Sequence, residues 1–356
     1  MRRSLTTLYQ MDPFEGTRWQ TFLEAHPHAS VFHTREWLEA LYRTYGYTPV
    51  VYTSSAPGSD LRDGVVLCKV ESWVTGRRLV SLPFSDHCQP LVEGDANRVE
   101  FLAALIRQSL GHGWRYVEIR PRFLHGEAIS SFHSVENYTF HELDLTPDCG
   151  TLFGNLHKSS TQRKIRRAER EGLTYQEGQA DSLLDTFYRL NLMTRRRQGI
   201  PPQPRRWFRN LAERFGKALK IRVASKDQVP VAGILTLEYK DTLTYKYGCS
   251  DARFHSLGGI HFLLWKAIEQ AKSLGLKRFD LGRSDADNGG LITFKSRWGA
   301  AQSTLTYLRY ASTPNSRSSF IPAHSDWRVG LAKHIFSHTP SICLPALGNL
   351  LYRHVG

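Results

Sequence analysis

The chain is poor in the residues that staple or anchor a protein. Its five cysteines (Cys68, Cys88, Cys149, Cys249, Cys343) are odd in number and hold no CxxC pair. That argues against a disulfide framework or a zinc ribbon and for a reducing compartment. No apolar run reaches the roughly 18 residues that a spanning helix needs. The start MRRSLTTLYQMDPFEG lacks an apolar core of secretory length. These absences predict a cytoplasmic protein. HExxH, GxxxxGK[ST] and GxSxG do not occur, and the fifteen histidines follow no metal-ligand spacing. Zinc-enzyme, P-loop and serine-hydrolase readings lose their support, and no metal site is expected.

Acid is also scarce: 33 Asp and Glu stand against 47 Lys and Arg in 356 residues, a net charge of +14. The excess is concentrated. Between Asn155 and Arg222, seventeen basic residues face six acids, so this stretch alone carries +11. Such a field attracts polyanions, whether RNA, nucleotide phosphates or an anionic membrane face; a solvated helix surface is the plainer alternative. With 41% apolar and 22% charged residues the chain has globular proportions, and its length suits two domains.

The pattern alternates helix and strand. Ser30–Tyr45 reads as a helix with Trp37, Leu38, Leu41 and Tyr45 on one face. Thr48–Thr53, Gly64–Trp73, Arg78–Leu82 and Tyr116–Arg120 read as strands, Val99–Leu110 as an amphipathic helix, and Tyr138–Leu145 as a further strand. After Thr146-Pro147 the pattern restarts with a basic helix inside Leu152–Gly172, then helices Asp181–Arg197 and Pro204–Phe215. Strands Lys220–Ser225, Val231–Tyr239 and Leu243–Cys249 precede helix Ile260–Leu274, and Arg278–Leu281 and Ser303–Tyr310 are strands again. The predicted fold class is α/β (α+β): domains at 1–148 and 149–312, each a mixed, largely antiparallel sheet flanked by helices. Residues 313–356 read as a linker and an amphipathic helical tail. Over 326–356 that tail serves either as a peripheral foot on the inner membrane or as a segment packed across the N-terminal domain.

Two stretches carry the chemistry. In the first, a strand with Tyr245 and Tyr247 leads through a turn to Gly258-Gly259 and a helix. A glycine pair there lets backbone N–H groups meet an anion, although plain helix entry explains it too. Alternation puts both tyrosines on one strand face. In the second, FDLGRSDADNGGLITFKSRWG, Arg283 follows a strand, and Lys295 and Arg297 sit two apart between Phe294 and Trp298. That is a stiff cationic clamp for phosphate or carboxylate.

At this point the chain resembles the Fem-type aminoacyl transferases and their acyltransferase relatives, which carry two tandem GNAT-like domains. The resemblance rests on the order of RFDLGRS, FKSRWG, the basic helix HKSSTQRKIRRAEREG with Arg163, the segment LNLMTRRRQGIPPQP with Arg196, and the loop LPFSDHCQPL. It spans roughly residues 30–310. It implies transfer of an aminoacyl or acyl group to an amine of a nucleotide- or lipid-linked cell-envelope or polysaccharide precursor. The acyl donor, aminoacyl-tRNA or acyl-CoA, would act as co-substrate, with no tightly bound cofactor. The family's phosphate- and intermediate-binding lysine falls on Lys295 after Phe294, its substrate-contacting tyrosine on Tyr245 or Tyr247, and its proposed base on Asp86. Arg163, Arg196, Arg283 and Arg297 are the accompanying substrate-binding positions, with Gly258 and Gly259 toward the donor. The acyl-CoA loop pattern [QR]xxGxG/A is not met, because Arg253 lies five residues before Gly258. The structural alternatives are Lys295 as a surface ion-pair partner, Asp86 as a turn cap and the tyrosines as core aromatics. A CoA-dependent N-acetyltransferase acting on a sugar amine and a non-catalytic RNA-binding protein are the rival functions.

Overall fold

In the computed structural model, which describes residues 6–73, 76–110, 113–123, 131–311, 348 and 351–354, the apolar periodicities become a regular succession of elements. The first half contains β1 (Tyr9–Met11), α1 (Arg18–Ala25), α2 (Arg35–Tyr45), β2 (Thr48–Thr53), β3 (Val65–Ser72), β4 (Gly76–Val80), α3 (Asp95–Leu110), β5 (Tyr116–Ile119) and β6 (His133–Asp144). Next come α4 (Cys149–Asn155), a π-helical turn (Lys158–Gln162), α5 (Arg163–Arg170), β7 (Thr174–Gly178), α6 (Asp181–Gln198) and α7 (Arg205–Phe215). The chain closes with β8 (Leu219–Lys226), β9 (Val229–Tyr239), β10 (Thr242–Ser250), a 3-10 stretch (Ala252–Leu257), α8 (Gly259–Ser273), β11 (Arg278–Asp285), α9 (Gly289–Ser296) and β12 (Ala301–Ala311).

These elements group into two units. Unit 1 holds Met1–Tyr138, Leu305–Pro322 and Leu351–Gly356, and unit 2 holds Thr139–Thr304 and Ala323–Leu350. The loop chemistry at Thr146-Pro147 marks a change of element, whereas the contacts divide earlier, within β6, and again within β12. Of the 313–356 tail, only Gly348 and Leu351–His354 are described; the rest of that expectation lies outside the described residues. The four residues Leu351–His354 pack on unit 1. Tyr352 O accepts from Tyr47 Oη, and Ser72 Oγ lies 2.9 Å from His354 Nδ1. Among the described residues no helix is long and apolar enough to cross a membrane.

Unit 1 is built as its pattern requires. Thr34 Oγ1 accepts the Trp37 N–H at the start of α2, and Gly46, at φ +78°, closes it. Trp37, Leu38, Leu41 and Tyr45 are buried, the face the spacing predicts. Strand order runs β1-β2-β3-β4-β5-β12, antiparallel except for β4 with β5. Phe101, Leu102 and Leu105 of α3 share a buried cluster with Leu67, Leu79, Val117 and Ile119. Each such side chain contributes about 1.5–3 kcal/mol of burial.

In unit 2 the order is β6-β11-β10-β9-β8-β7. The edge strand β7 is mostly exposed, and for that reason shows no apolar alternation to predict it from. Helices α5 and α8 cover one face: Ile165 and Ala168 of α5 join Phe262, Leu263, Leu264, Ala267 and Ile268 of α8 over Ile234, Leu243, Phe279 and Leu281. The single basic helix expected within Leu152–Gly172 is instead α4, the π turn and α5 in succession. Gln162 holds the junction, its Nε2 donating to the carbonyls of Phe153 and Leu156 at 2.9 and 3.0 Å.

Candidate functional site

Strands β10 and β11 pair in parallel over three residues only, Thr242–Thr244 with Arg278–Asp280, although they run on to Ser250 and Asp285. Past that point they form no further pair with each other, and a sheet that opens between parallel strands ahead of a helix is a place for ligands. Gly282, at φ +72°, turns β11 there, and Asp280 Oδ1 takes its N–H at 2.7 Å. On β10 the register against β9 slips between Tyr245 and Tyr247, with Lys246 as the extra residue. The bulge overturns the expectation that the two tyrosines share a face, because an inserted residue reverses the alternation. Tyr245 packs on the α5/α8 core with its hydroxyl over Gly248, where no side chain stands in the way. Burial drives its pKa above the ordinary tyrosine range. Tyr247 turns to the opposite face, where Trp207 Nε1 donates to its hydroxyl at 2.8 Å and Phe208 meets its ring edge-on. For Tyr247 the core-aromatic reading is the one the contacts support.

Lys295 lies in the last turn of α9, which opens with Asn288 Oδ1 accepting the Leu291 N–H at 3.1 Å. It is no surface residue: only 3% exposed, it donates through Nζ to the carbonyls of Gly282 and Arg283 at 2.9 and 2.7 Å. The clamp thus fixes the ammonium at the turn of β11. Phe294 meets His261 edge-on at 5.2 Å and Trp298 at 6.4 Å. On β6, buried His141 is pushed down to about 4 by burial and by the Lys295 charge, so it is neutral at pH 7. Its Nε2 lies 3.4 Å from Ser296 Oγ.

A second group of charges gathers at the start of α8. Burial, then Arg297 and Arg163, hold Lys164 below the usual lysine range. His261, in the first turn of α8, is pushed down to about 3 by burial, then by Lys164 and Arg297. His255 is lowered by burial, then by Arg197 and Lys164. Charges depress a neighbour in this way only at short range, so Lys164, Arg197 and Arg297 gather here, with Arg163 next to Lys164 in the chain. Arg297 also ties the end of α9 to the π turn: its carbonyl accepts from His157 N at 3.0 Å and Thr161 Oγ1 at 3.1 Å.

Other members of the basic segment have partners elsewhere. Arg205 pairs with Asp185 at 2.5 Å, and Arg222 is fully buried against Tyr175, Gln270 and Glu177. Arg196 is exposed in the last turn of α6, and it is Arg197 that donates to Ser250 O at 3.2 Å. Arg283 contributes its carbonyl to Lys295.

Packing makes the glycine pair obligatory. Gly258 is at φ +79°, and a Cβ on it would lie 2.6 Å from Lys164 O; a Cβ on Gly259 would lie 2.9 Å from Ala232 Cβ. The Gly258 N–H is taken by His255 O. These contacts seat α5 against α8 and so carry Lys164 to the helix start.

Asp86 belongs to unit 1, in the loop after β4. Leu82 and Phe84 there hold left-handed backbone at φ +45° and +62°, conformations that persist only where surroundings enforce them. Arg120 enforces this one, donating to Leu82 O at 2.8 Å and stacking on Tyr307, whose hydroxyl donates to Asp86 O at 2.8 Å. Below the loop, His33 Nδ1 accepts from Ser30 N and its Nε2 faces Gln89 O at 2.9 Å. Burial holds His33 down to about 4. The sequence reading missed His141, Lys164, Arg197 and His261. Lys164 was legible only as one charge among seventeen, and His261 only by its place three residues after Gly258. Among the described residues no group of His, Cys, Asp and Glu could hold a metal ion.

Residues 157–296 match the acetyltransferase (GNAT) domain family. Over 159 residues the chain is 27% identical to a UDP-N-acetylmuramoylpentapeptide-lysine N(6)-alanyltransferase of Weissella viridescens, a match covering 43% of this chain and 46% of that protein. The match therefore spans less than half of that relative's length. In fold it is similar to the crystal structure of FemX, with a TM-score of 0.67 at 13% identity over 85% of this chain and 97% of that one. It is also similar to a tandem GNAT protein of clavulanic acid biosynthesis, with a TM-score of 0.54 at 12% identity over 86% and 99%. The C-terminal domain of a putative lysylphosphatidylglycerol synthetase from Agrobacterium fabrum superposes with a TM-score of 0.54 at 16% identity, over 78% and 88%. These matches bear out the tandem GNAT-like fold and the resemblance the sequence motifs carry.

Proposed function

We propose that this chain, similar to Fem-type transferases and folded like tandem GNAT proteins, moves an aminoacyl group from aminoacyl-tRNA to an amine of a nucleotide- or lipid-linked cell-envelope precursor. The observation that carries this reading is the gathering of Lys164, Arg197 and Arg297 about the start of α8, beside the Phe294-Lys295 pair. Both partners of such a reaction are polyanions, and a fixed cationic cluster lowers the cost of bringing them together. The Weissella protein, similar over 159 residues, is by its name an alanyltransferase of UDP-N-acetylmuramoylpentapeptide-lysine.

The chemistry needs little from the protein. The acceptor's neutral amine attacks the ester carbonyl, a C–N bond forms, and the tetrahedral oxyanion collapses with release of the tRNA hydroxyl. The Lys295 ammonium, held by two carbonyls, supplies charge where the oxyanion develops. As the intermediate collapses, the amine's proton ends on the departing tRNA oxygen.

The test is a purified reaction. Charged tRNA, UDP-linked muropeptide and protein are incubated together, with acetyl-CoA replacing the tRNA in a parallel arm, and the muropeptide mass is read. An aminoacyl mass added only with charged tRNA supports the reading. An acetyl mass added only with acetyl-CoA replaces it with a CoA-dependent N-acetyltransferase, which the GNAT domain match also accommodates. No mass change in either arm refutes both.

A further inference from the structure

Unit 1 carries an exposed tryptophan. Trp73, at the turn between β3 and β4, is 89% exposed, although burying an indole removes 150 Å² or more of surface from water. Arg77 and Glu71 face each other across the hairpin beside it, Arg115 adjoins Gly76 of that hairpin, and Arg353 precedes His354, which touches the Trp73 ring. Arg77 lies over Trp114 at 4.7 Å and pairs with Glu71 at 3.1 Å, and Arg115 flanks Gly76. Arg353 is exposed in the turn Leu351–His354. That turn seats itself at the same corner. His354 meets the Trp73 ring edge-on at 5.7 Å and Ser72 Oγ at 2.9 Å, and its carbonyl accepts from Arg78. Leu351, 37% exposed, adds an apolar side chain from the tail. Thus the exposed aromatic of the hairpin and the end of the amphipathic tail, far apart in sequence, share one corner of one unit.

We propose that this corner, with Trp73 as its apolar anchor and Arg77, Arg115 and Arg353 as its charged rim, docks unit 1 on the anionic surface of a lipid bilayer. An indole with basic neighbours suits the headgroup layer, where the ring is partly dehydrated and the cations meet acidic lipids. Three arginines against one glutamate make the rim complementary to that anionic surface and not to a basic or neutral one. Docking there does not depend on which acyl group the enzyme moves.

The experiment is vesicle flotation of the full chain, with no substrate and no turnover, so that its failure is separate from failure of the proposed reaction. Vesicles of phosphatidylglycerol and phosphatidylcholine are compared with phosphatidylcholine alone, at low and high salt. Binding should require phosphatidylglycerol, weaken as salt rises, and fall about tenfold in Trp73→Ala, the loss of one interfacial anchor. Trp73→Phe, which keeps a smaller ring, should fall less. At 89% exposure the substitution leaves the core untouched, and an unchanged Tm checks this. Equal binding to both vesicle types, no binding at all, or full binding by Trp73→Ala overturns the proposal. So does self-association of the free protein that Trp73→Ala abolishes, which would make the corner an interface between copies.

Discussion

Replacing Lys295 with methionine keeps the side-chain volume and removes the ammonium, so it separates the two things this residue does. Its Nζ donates to the carbonyls of Gly282 and Arg283 at 2.9 and 2.7 Å while 3% exposed. A charged hydrogen bond is worth about 1.5–3 kcal/mol, and two carbonyls left buried add a desolvation cost, so we expect a loss of about 3–5 kcal/mol. Urea denaturation of both proteins at pH 7.5 measures the loss.

Turnover is then assayed at a temperature where the variant is fully folded. If the ammonium acts on the developing oxyanion, kcat should fall about 100- to 1,000-fold with KM little changed. The charge also depresses His141, so in Lys295→Met the His141 pKa should rise from about 4 toward the ordinary histidine value, a change that NMR titration reads directly. A variant within about 1 kcal/mol of the parent refutes the account of how the lysine is held. Full turnover by the folded variant refutes its part in transfer.

Gly258→Ala should cost about 1–3 kcal/mol more than Gly275→Ala: both replace a left-handed glycine, at φ +79° and +74°, but only at Gly258 does the new Cβ meet backbone, Lys164 O at 2.6 Å. Equal losses in thermal unfolding contradict the tight seating of α5 on α8. Tyr247→Phe should destabilise by about 1–3 kcal/mol, because Trp207 Nε1 loses its acceptor, while kcat and KM stay unchanged; a change in KM would return Tyr247 to the substrate site. His33 and His261 are held down to about 4 and 3. The unfolded chain binds their protons near pH 6.5 and the folded chain does not. Stability should therefore be flat above pH 7 and fall below 6.5 by about 1.4 kcal/mol per pH unit for each, about 2 kcal/mol each by pH 5. A stability profile flat from pH 7.5 to 5 speaks against neutral buried histidines.

Much of this protein is local and therefore legible in the chain. The faces of α2 and α8, the glycine stops, the succession of strands and helices in the second half and the +11 segment all follow from spacing and composition. The order of five short motifs was enough to place Lys295 after Phe294. What spacing cannot report is which charge meets which neighbour. One bulge at Lys246 sends Tyr245 and Tyr247 to opposite faces, and a single inserted residue leaves no mark on an alternating pattern. Of the seventeen basic residues, Arg222 is buried and paired, Arg205 is neutralised at the surface, and Lys164 reaches the start of α8. That selection is made by the seating of α5 on Gly258 and by the hydrogen bonds from the π turn to Arg297. Both are contacts between segments about 90 to 140 residues apart, and no local propensity encodes them.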